Sequence, residues 1–141
     1  MASTTAQIRV ALKAALDASS QIAAAGWQTS AYMLALPYPP TIDIRPGGIQ
    51  YDTAMARGND DITFLVRALV AFNDDVGAQT KLDTLLDATA TDGLKTVLEH
   101  DKTLGGVVSD LRVTDVSDYK ALIVEGQPPM LAVEFNVEIY P

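Results

Sequence analysis

Apolar residues in this chain recur with two different periods, and the switches between them divide it into helices and strands. Near the start, Ile8, Leu12, Ala15, Leu16 and Ile22 fall on one narrow stripe of an Ala-rich segment, the signature of an amphipathic helix. Thr4 and Gln7 suit a capping box at its start and Gly26 a stop at its end. The stripe is modest, so this helix is expected to pack on the body rather than form its core. Residues 26–40, rich in aromatics and ending Leu36-Pro-Tyr-Pro-Pro40, read as an extended surface connection, because proline disfavours helix and central strand alike. Thr41-Ile-Asp-Ile-Arg45 alternates apolar with polar, as a half-buried strand does, and Pro46-Gly47-Gly48 reads as a turn.

The strongest strand is Ile62 to Phe72. Ile62, Phe64, Val66, Ala68, Val70 and Phe72 line one face, and Leu65, Leu69 and Ala71 make the other largely apolar. Such a strand belongs in the middle of a sheet covered on both sides, at least in part. Arg57-Gly-Asn-Asp-Asp61 reads as the preceding turn, with 49–56 as a hairpin partner. Next, Ala78, Leu82, Leu85 and Leu86 mark a helix with Asp74 or Asp75 at its positive end. Asp92 suits the N-cap of a short helix carrying Leu94, Val97 and Leu98. After Gly105-Gly106, strands are expected over 107–116, 119–125 and 130–140. In the last, Leu131, Val133, Phe135, Val137 and Ile139 face inward and Glu134, Asn136, Glu138 and Tyr140 outward. Segregated runs of this kind predict an α+β fold: one domain over 1–141, with a mixed, largely antiparallel sheet flanked by an N-terminal helix and a central helix pair.

Composition narrows the function more than it narrows the fold. With 48% hydrophobic and 20% charged residues the chain is ordinary globular material. A net charge of −8, without any basic run, argues against a protein that grips nucleic acid by its phosphates. There are no cysteines, which removes disulfides, thiolate metal sites and cysteine nucleophiles. The first residues lack the charged and apolar regions of a signal peptide, and no apolar run approaches membrane-spanning length. A soluble protein, assembled inside a cell and with no membrane partner, is the expectation.

Candidate chemistry is sparse. His100, the single histidine, stands near a helix end, where a favourable C-terminal charge explains it better than catalysis. Asp60-Asp61 and Asp74-Asp75 are adjacent carboxylates at element ends, more simply read as turn formers and caps than as an acid–base pair. Leu104-Gly-Gly-Val107 lacks the Lys and Ser or Thr of a phosphate loop. No Gly-x-Ser-x-Gly elbow and no calcium-loop pattern occurs. No catalytic residue, metal ligand or cofactor is assigned, and the expectation is a protein that is not an enzyme. An active site of Asp, Tyr and Arg is the residual alternative.

What remains are surfaces. Trp27, Tyr32, Met33, Leu34, Leu36 and Tyr38 make the 26–40 connection greasy for a loop. It either folds back as core cover or packs on a neighbouring subunit, where aromatics and Met are enriched. Trp27, Tyr32, Met33, Leu36 and Tyr38 are the interface candidates. The polar positions Glu134 and Glu138 are either plain solvated sheet or the acidic lining of a channel that lets DNA pass without sticking.

Several segments resemble the tail terminator proteins of long-tailed phages, especially those infecting actinobacteria. They are Tyr38-Pro-Pro-Thr-Ile-Asp-Ile-Arg-Pro46, Ile49-Gln-Tyr-Asp52, Gly58-Asn-Asp-Asp-Ile-Thr-Phe64, Ala78-Gln-Thr-Lys-Leu-Asp83, Asp101-Lys-Thr-Leu-Gly-Gly106 and Val133-Glu-Phe-Asn-Val-Glu-Ile-Tyr140. The likeness covers about residues 36–140 and rests on turns and strands, with no catalytic signature. It implies a virion protein of the head–tail junction, assembled in the host cytoplasm as a sixfold ring. Such a ring caps the tail tube, ends polymerisation of the major tube protein and docks onto head-completion or connector proteins, while the genome passes through its lumen without specific binding. A one-chain ring needs two different sticky patches per subunit. Loops suited to reach the tube or connector are Arg57, Asn59, Asp60 and Asp61, and the turn bearing Gln127, Pro128 and Pro129. A neck, head-completion or minor tail protein is the nearest alternative, and a small non-enzymatic adaptor domain the next.

Overall fold

The structure, a computed structural model, describes residues 5–19, 22, 26–32, 40–50, 61–71, 75–87, 93–123, 125–126 and 129–140. In chain order the described elements are α1 (Thr5–Asp17), β1 (Gln28–Ser30), β2 (Thr41–Gln50), β3 (Asp61–Ala71), α2 (Asp75–Leu86), α3 (Leu94–Glu99), β4 (Asp110–Leu122) and β5 (Met130–Tyr140). The strands form one sheet in the order β1-β2-β3-β5-β4. β1 runs parallel to β2, and every other pairing is antiparallel. This is the mixed, largely antiparallel α+β architecture expected from the pattern.

β3 is the central strand, with β2 on one side and β5 on the other. Its helix-side residues Phe64, Val66 and Ala68 are fully buried, opposite Val137, Phe135 and Val133 of β5. α1, α2 and α3 lie over this side, and Ile8, Leu12, Leu16, Leu82, Leu85, Leu94 and Leu98 join the same core. Expected only to lean on the body, α1 in fact supplies three wholly enclosed side chains, Ile8, Leu12 and Leu16. Its stripe looks narrow because alanines fill the flanks. The opposite side of β3 is also closed off locally: Leu69, Met130 and Ala132 make a second, smaller buried cluster. On the second face of β3, Leu69 is thus buried while Leu65 and Ala71 are only partly so.

Several boundaries differ from the pattern. α1 ends at Asp17, short of Gly26, although Ile22 is still buried and Gly26 adopts a φ of +82°. Within the 26–40 connection a short strand, β1, pairs with Thr41–Asp43. Pro46-Gly47-Gly48 does not turn the chain. β2 continues through it to Gln50, with a register shift between Pro46 and Gly48. Proline is tolerated there because β1 pairs only as far as Asp43, so none of the described residues pairs with Pro46 on that side. The hairpin partner of β3 is therefore β2 itself, and residues 51–60 lie outside the described residues. Finally, 107–116 and 119–125 are not two strands. β4 is one strand interrupted by irregularities between Val113 and Asp115 and between Ser117 and Lys120. Each bulge resets the inside–outside alternation, which breaks the period that sequence reading relies on. The N-cap of α3 is Gly93, which offers no side-chain cap, and Asp92 falls outside the described residues.

Candidate functional site

The described surface carries a groove of about 800 Å³ between α1 and the end of α3 with its following turn. One wall is α1, presenting Ala6, Val10, Ala14 and Ala18; the other presents Val97, Leu104 and Val107. The local sequence explains the shape. α1 turns its large residues into the core and leaves alanines outward, so there is little side chain to fill the space between it and the turn. Val10 is 57% exposed at the groove, a large apolar side chain left in water.

The far wall is held by electrostatics and backbone chemistry. Asp101 accepts from the Thr103 hydroxyl (2.8 Å) and from the Thr103 and Gly105 amides (3.1 and 2.9 Å). These bonds, led by the Thr103 hydroxyl, hold its carboxyl below the usual range. Leu104, Gly105 and Gly106 then take positive φ in succession, 51°, 71° and 93°. Glycine adopts such angles at no steric cost, whereas Leu104 is retained there by burying its side chain, 7% exposed. Behind the turn, burial pushes the Glu99 carboxyl up, but Lys95, the Val113 amide and Lys102 outweigh it and lower its pKa. Through Glu99, which accepts from Val113 N–H at 3.1 Å, α3 is fastened to β4. His100 is the C-cap of α3, as its place near a helix end implied, and it reaches the groove beside Asp101.

The face of the sheet away from the helices has a different character. Asp43, Arg67 and Glu134 lie in one cross-strand row. Arg67 clasps Asp43 with two bonds, at 3.0 and 2.6 Å, and Arg45 reaches Glu134 at 2.8 Å. The Asp43 side chain is 2% exposed and that of Arg67 11%. Charges alternate down this row, so each is met by its opposite while water is excluded.

The expected site residues scatter across these surfaces. Trp27 is 8% exposed and part of the core, with the Lys81 ammonium 5.1 Å from its ring centroid. Tyr32 does reach solvent, 58% exposed, and the Arg9 guanidinium lies 5.0 Å over its ring. Arg9 also donates to the Ala31 and Ile44 carbonyls, tying α1 to β2 and to the residue after β1. Glu134 is no bare acidic residue. It is almost fully buried and neutralised by Arg45, because the alternation that points it away from the helices also points it into the charge row. Glu138, half-buried, accepts from the Tyr140 hydroxyl at 2.8 Å and remains on that face. Pro129 is exposed just before β5. Met33, Leu36, Tyr38, Arg57, Asn59, Asp60, Gln127 and Pro128 lie outside the described residues, and of Asp61 only the backbone, at the start of β3, is described.

Sequence reading missed the groove and the charge row. Alanines carry no chemical signal, and the paired charges are 24 and 89 residues apart. Among the described residues no cluster of His, Asp or Glu is arranged to hold a metal ion, and no helix is long and apolar enough to cross a membrane. Compared with protein-family models and with curated protein sequences, the chain gives no match to either.

Proposed function

We propose that this chain is a non-enzymatic structural subunit of a phage tail, the tail terminator: a ring that caps the tail tube at the head–tail junction, ends its growth and joins it to the head-completion proteins. The observation that carries the reading is the chemistry of the groove. It is open and walled by alanines, valines and one leucine. A substrate pocket of that size brings convergent polar groups to fix orientation. Here the polar residues are Gln7, His100 and Asp101, and the Asp101 carboxylate is spent on its own turn. An apolar surface of this kind suits a protein partner. The likeness of residues 36–140 to tail terminators supplies the identity of the assembly. The net charge of −8 favours a lumen that repels DNA, with Glu138 a candidate lining residue and Glu134 withdrawn from that role by its ion pair.

The test is to polymerise the major tail tube protein with and without this chain and to measure tube length and ends by negative-stain microscopy. Shorter, blunt tubes bearing a ring of this chain are expected. Unaltered growth with bare ends would discard the terminator reading, and binding to the head-completion protein in place of the tube would move the chain to the neck.

A further inference from the structure

The apolar face of the sheet does not decide which residue of β2 lies opposite which residue of β3. On the helix side β2 offers Ile42 and Ile44, and β3 offers Phe64, Val66, Ala68 and Val70, all buried. Sliding β2 by two residues keeps each isoleucine on that side and opposite another apolar residue, because side chains alternate with a period of two. Nor does a tight turn decide it. Residues 51–60 join the two strands, far more than the two-residue turns that dictate a hairpin's register. The other face tells the registers apart. There β3 presents a single charge between two leucines, Leu65, Arg67 and Leu69, and Asp43 of β2 stands opposite Arg67.

We propose that the charge row is a register lock, in which the Asp43–Arg67 pair selects one alignment of β2 on β3 among those the apolar face allows. The chief competitor has β2 displaced by two residues, with Arg45 opposite Arg67, Asp43 opposite Leu69 and Ile42 opposite Val70. That alignment takes from Asp43 both of its bonds to Arg67 and sets the carboxylate against the Leu69, Met130 and Ala132 cluster. It also brings two guanidinium groups into direct opposition, which is unfavourable across a strand pair. Displacement the other way puts Asp43 opposite Leu65 and Arg67 opposite Thr41, and again loses the pair. Arg45 adds a second restraint by reaching over β3 to Glu134 on β5. Selecting an alignment is a role that a buried ion pair fills without adding net stability. A two-residue slip moves β2 by about 7 Å along β3. α1 packs on β1 and β2 and donates from Arg9 to the Ile44 carbonyl, so it moves with β2 relative to α3. The lock thereby sets the spacing of the groove walls, whatever the chain assembles with.

The test uses the full chain with Asp43→Leu and Arg67→Met together, which removes the lock and leaves the helix-side face intact. In the displaced alignment of this variant the new leucine meets Leu69, and Arg45 comes level with Glu134, which stands opposite position 67. Heteronuclear NMR of the unsubstituted chain should show one set of amide signals for residues 41–45, with a cross-strand contact between Ile42 and Ala68. The double variant should fold and show a contact between Ile42 and Val70, joining or replacing the first. Arg67→Lys keeps a cation opposite Asp43 and should show the Ile42–Ala68 contact alone. A double variant that keeps only the Ile42–Ala68 contact overturns the lock, because the apolar face then suffices. One that no longer folds cooperatively overturns it too, because the pair then serves stability. A second alignment in Arg67→Lys would equally overturn a lock made of charge.

Discussion

The two faces of the central sheet exclude water by opposite means. On the helix side the excluded surface is uniformly apolar, and Phe64, Val66, Phe135 and Val137 meet α-helical leucines with little polar surface between them. On the other side a row of alternating charges crosses three strands, Asp43 to Arg67 to Glu134, with Arg45 completing the second pair, beside a small apolar cluster at Leu69, Met130 and Ala132. The first face tolerates substitution of one hydrophobic residue for another of similar volume. The second does not tolerate loss of half a pair, because a buried charge without its partner costs more than the pair contributes. Burial alone therefore says little about how a position will respond; the partner decides.

That contrast can be broken at its strongest point on each face. Phe64→Ala should lose about 3–5 kcal/mol of unfolding free energy in urea titration through cavity formation; a loss under 1 kcal/mol would show that the helix-side core is not close-packed there. Asp43→Ala should lose about 3 kcal/mol by removing both bonds that Arg67 makes to it, and the double replacement Asp43→Leu with Arg67→Met should recover most of it. A double variant no more stable than Asp43→Ala would mean that the pair is net stabilising and that the charge row is more than compensated desolvation. Arg45→Ala should lose less, about 1–2 kcal/mol, because Arg67 still stands opposite the buried Glu134 carboxylate that it leaves behind.

Acid sharpens the comparison from outside. The carboxyls of Asp17, Glu99 and Asp101 are all lowered in the folded chain. For Asp17, burial raises the pKa, but Lys13 and the Thr29 hydroxyl bring it down. Groups lowered on folding contribute stability that is present above their unfolded pKa, about 4 for carboxyls, and lost as pH falls through the folded value. Stability should thus be flat from pH 7 to about 5 and fall below about 4. Glu99→Gln should flatten part of that fall, and an unchanged acid limb in this variant would remove Glu99 from the account.

How much of this was visible in the sequence depends on whether a period survived intact. β3 and β5 keep strict alternation over ten paired positions, and both were readable. The helices α2 and α3 show their leucines at helical spacing. β4 was misread because two irregularities shift its phase, and β2 because Pro46-Gly47-Gly48 carries the composition of a turn while pairing as strand. Gly47 fits closely there: a Cβ would come within 3.1 Å of the Leu65 side chain and 3.3 Å of the Thr63 carbonyl, so its neighbours would have to shift by a few tenths of an ångström. The aromatic connection offered interface and core cover as equal readings, and for Trp27 the core won. The groove was unreadable for a different reason. It is made by what alanines leave unfilled, and an absence of side chain has no signature until α1 and α3 are placed side by side.

The central proposal, that this chain is a phage tail terminator, is tested most directly by labelling the particles produced from a genome that encodes it. Gold-conjugated antibody against the chain, imaged by electron microscopy, should mark a single site at the head-proximal end of the tail, both on intact virions and on detached tails. Label on the capsid, along the tube or at the distal tip, or none on any particle, would contradict the account.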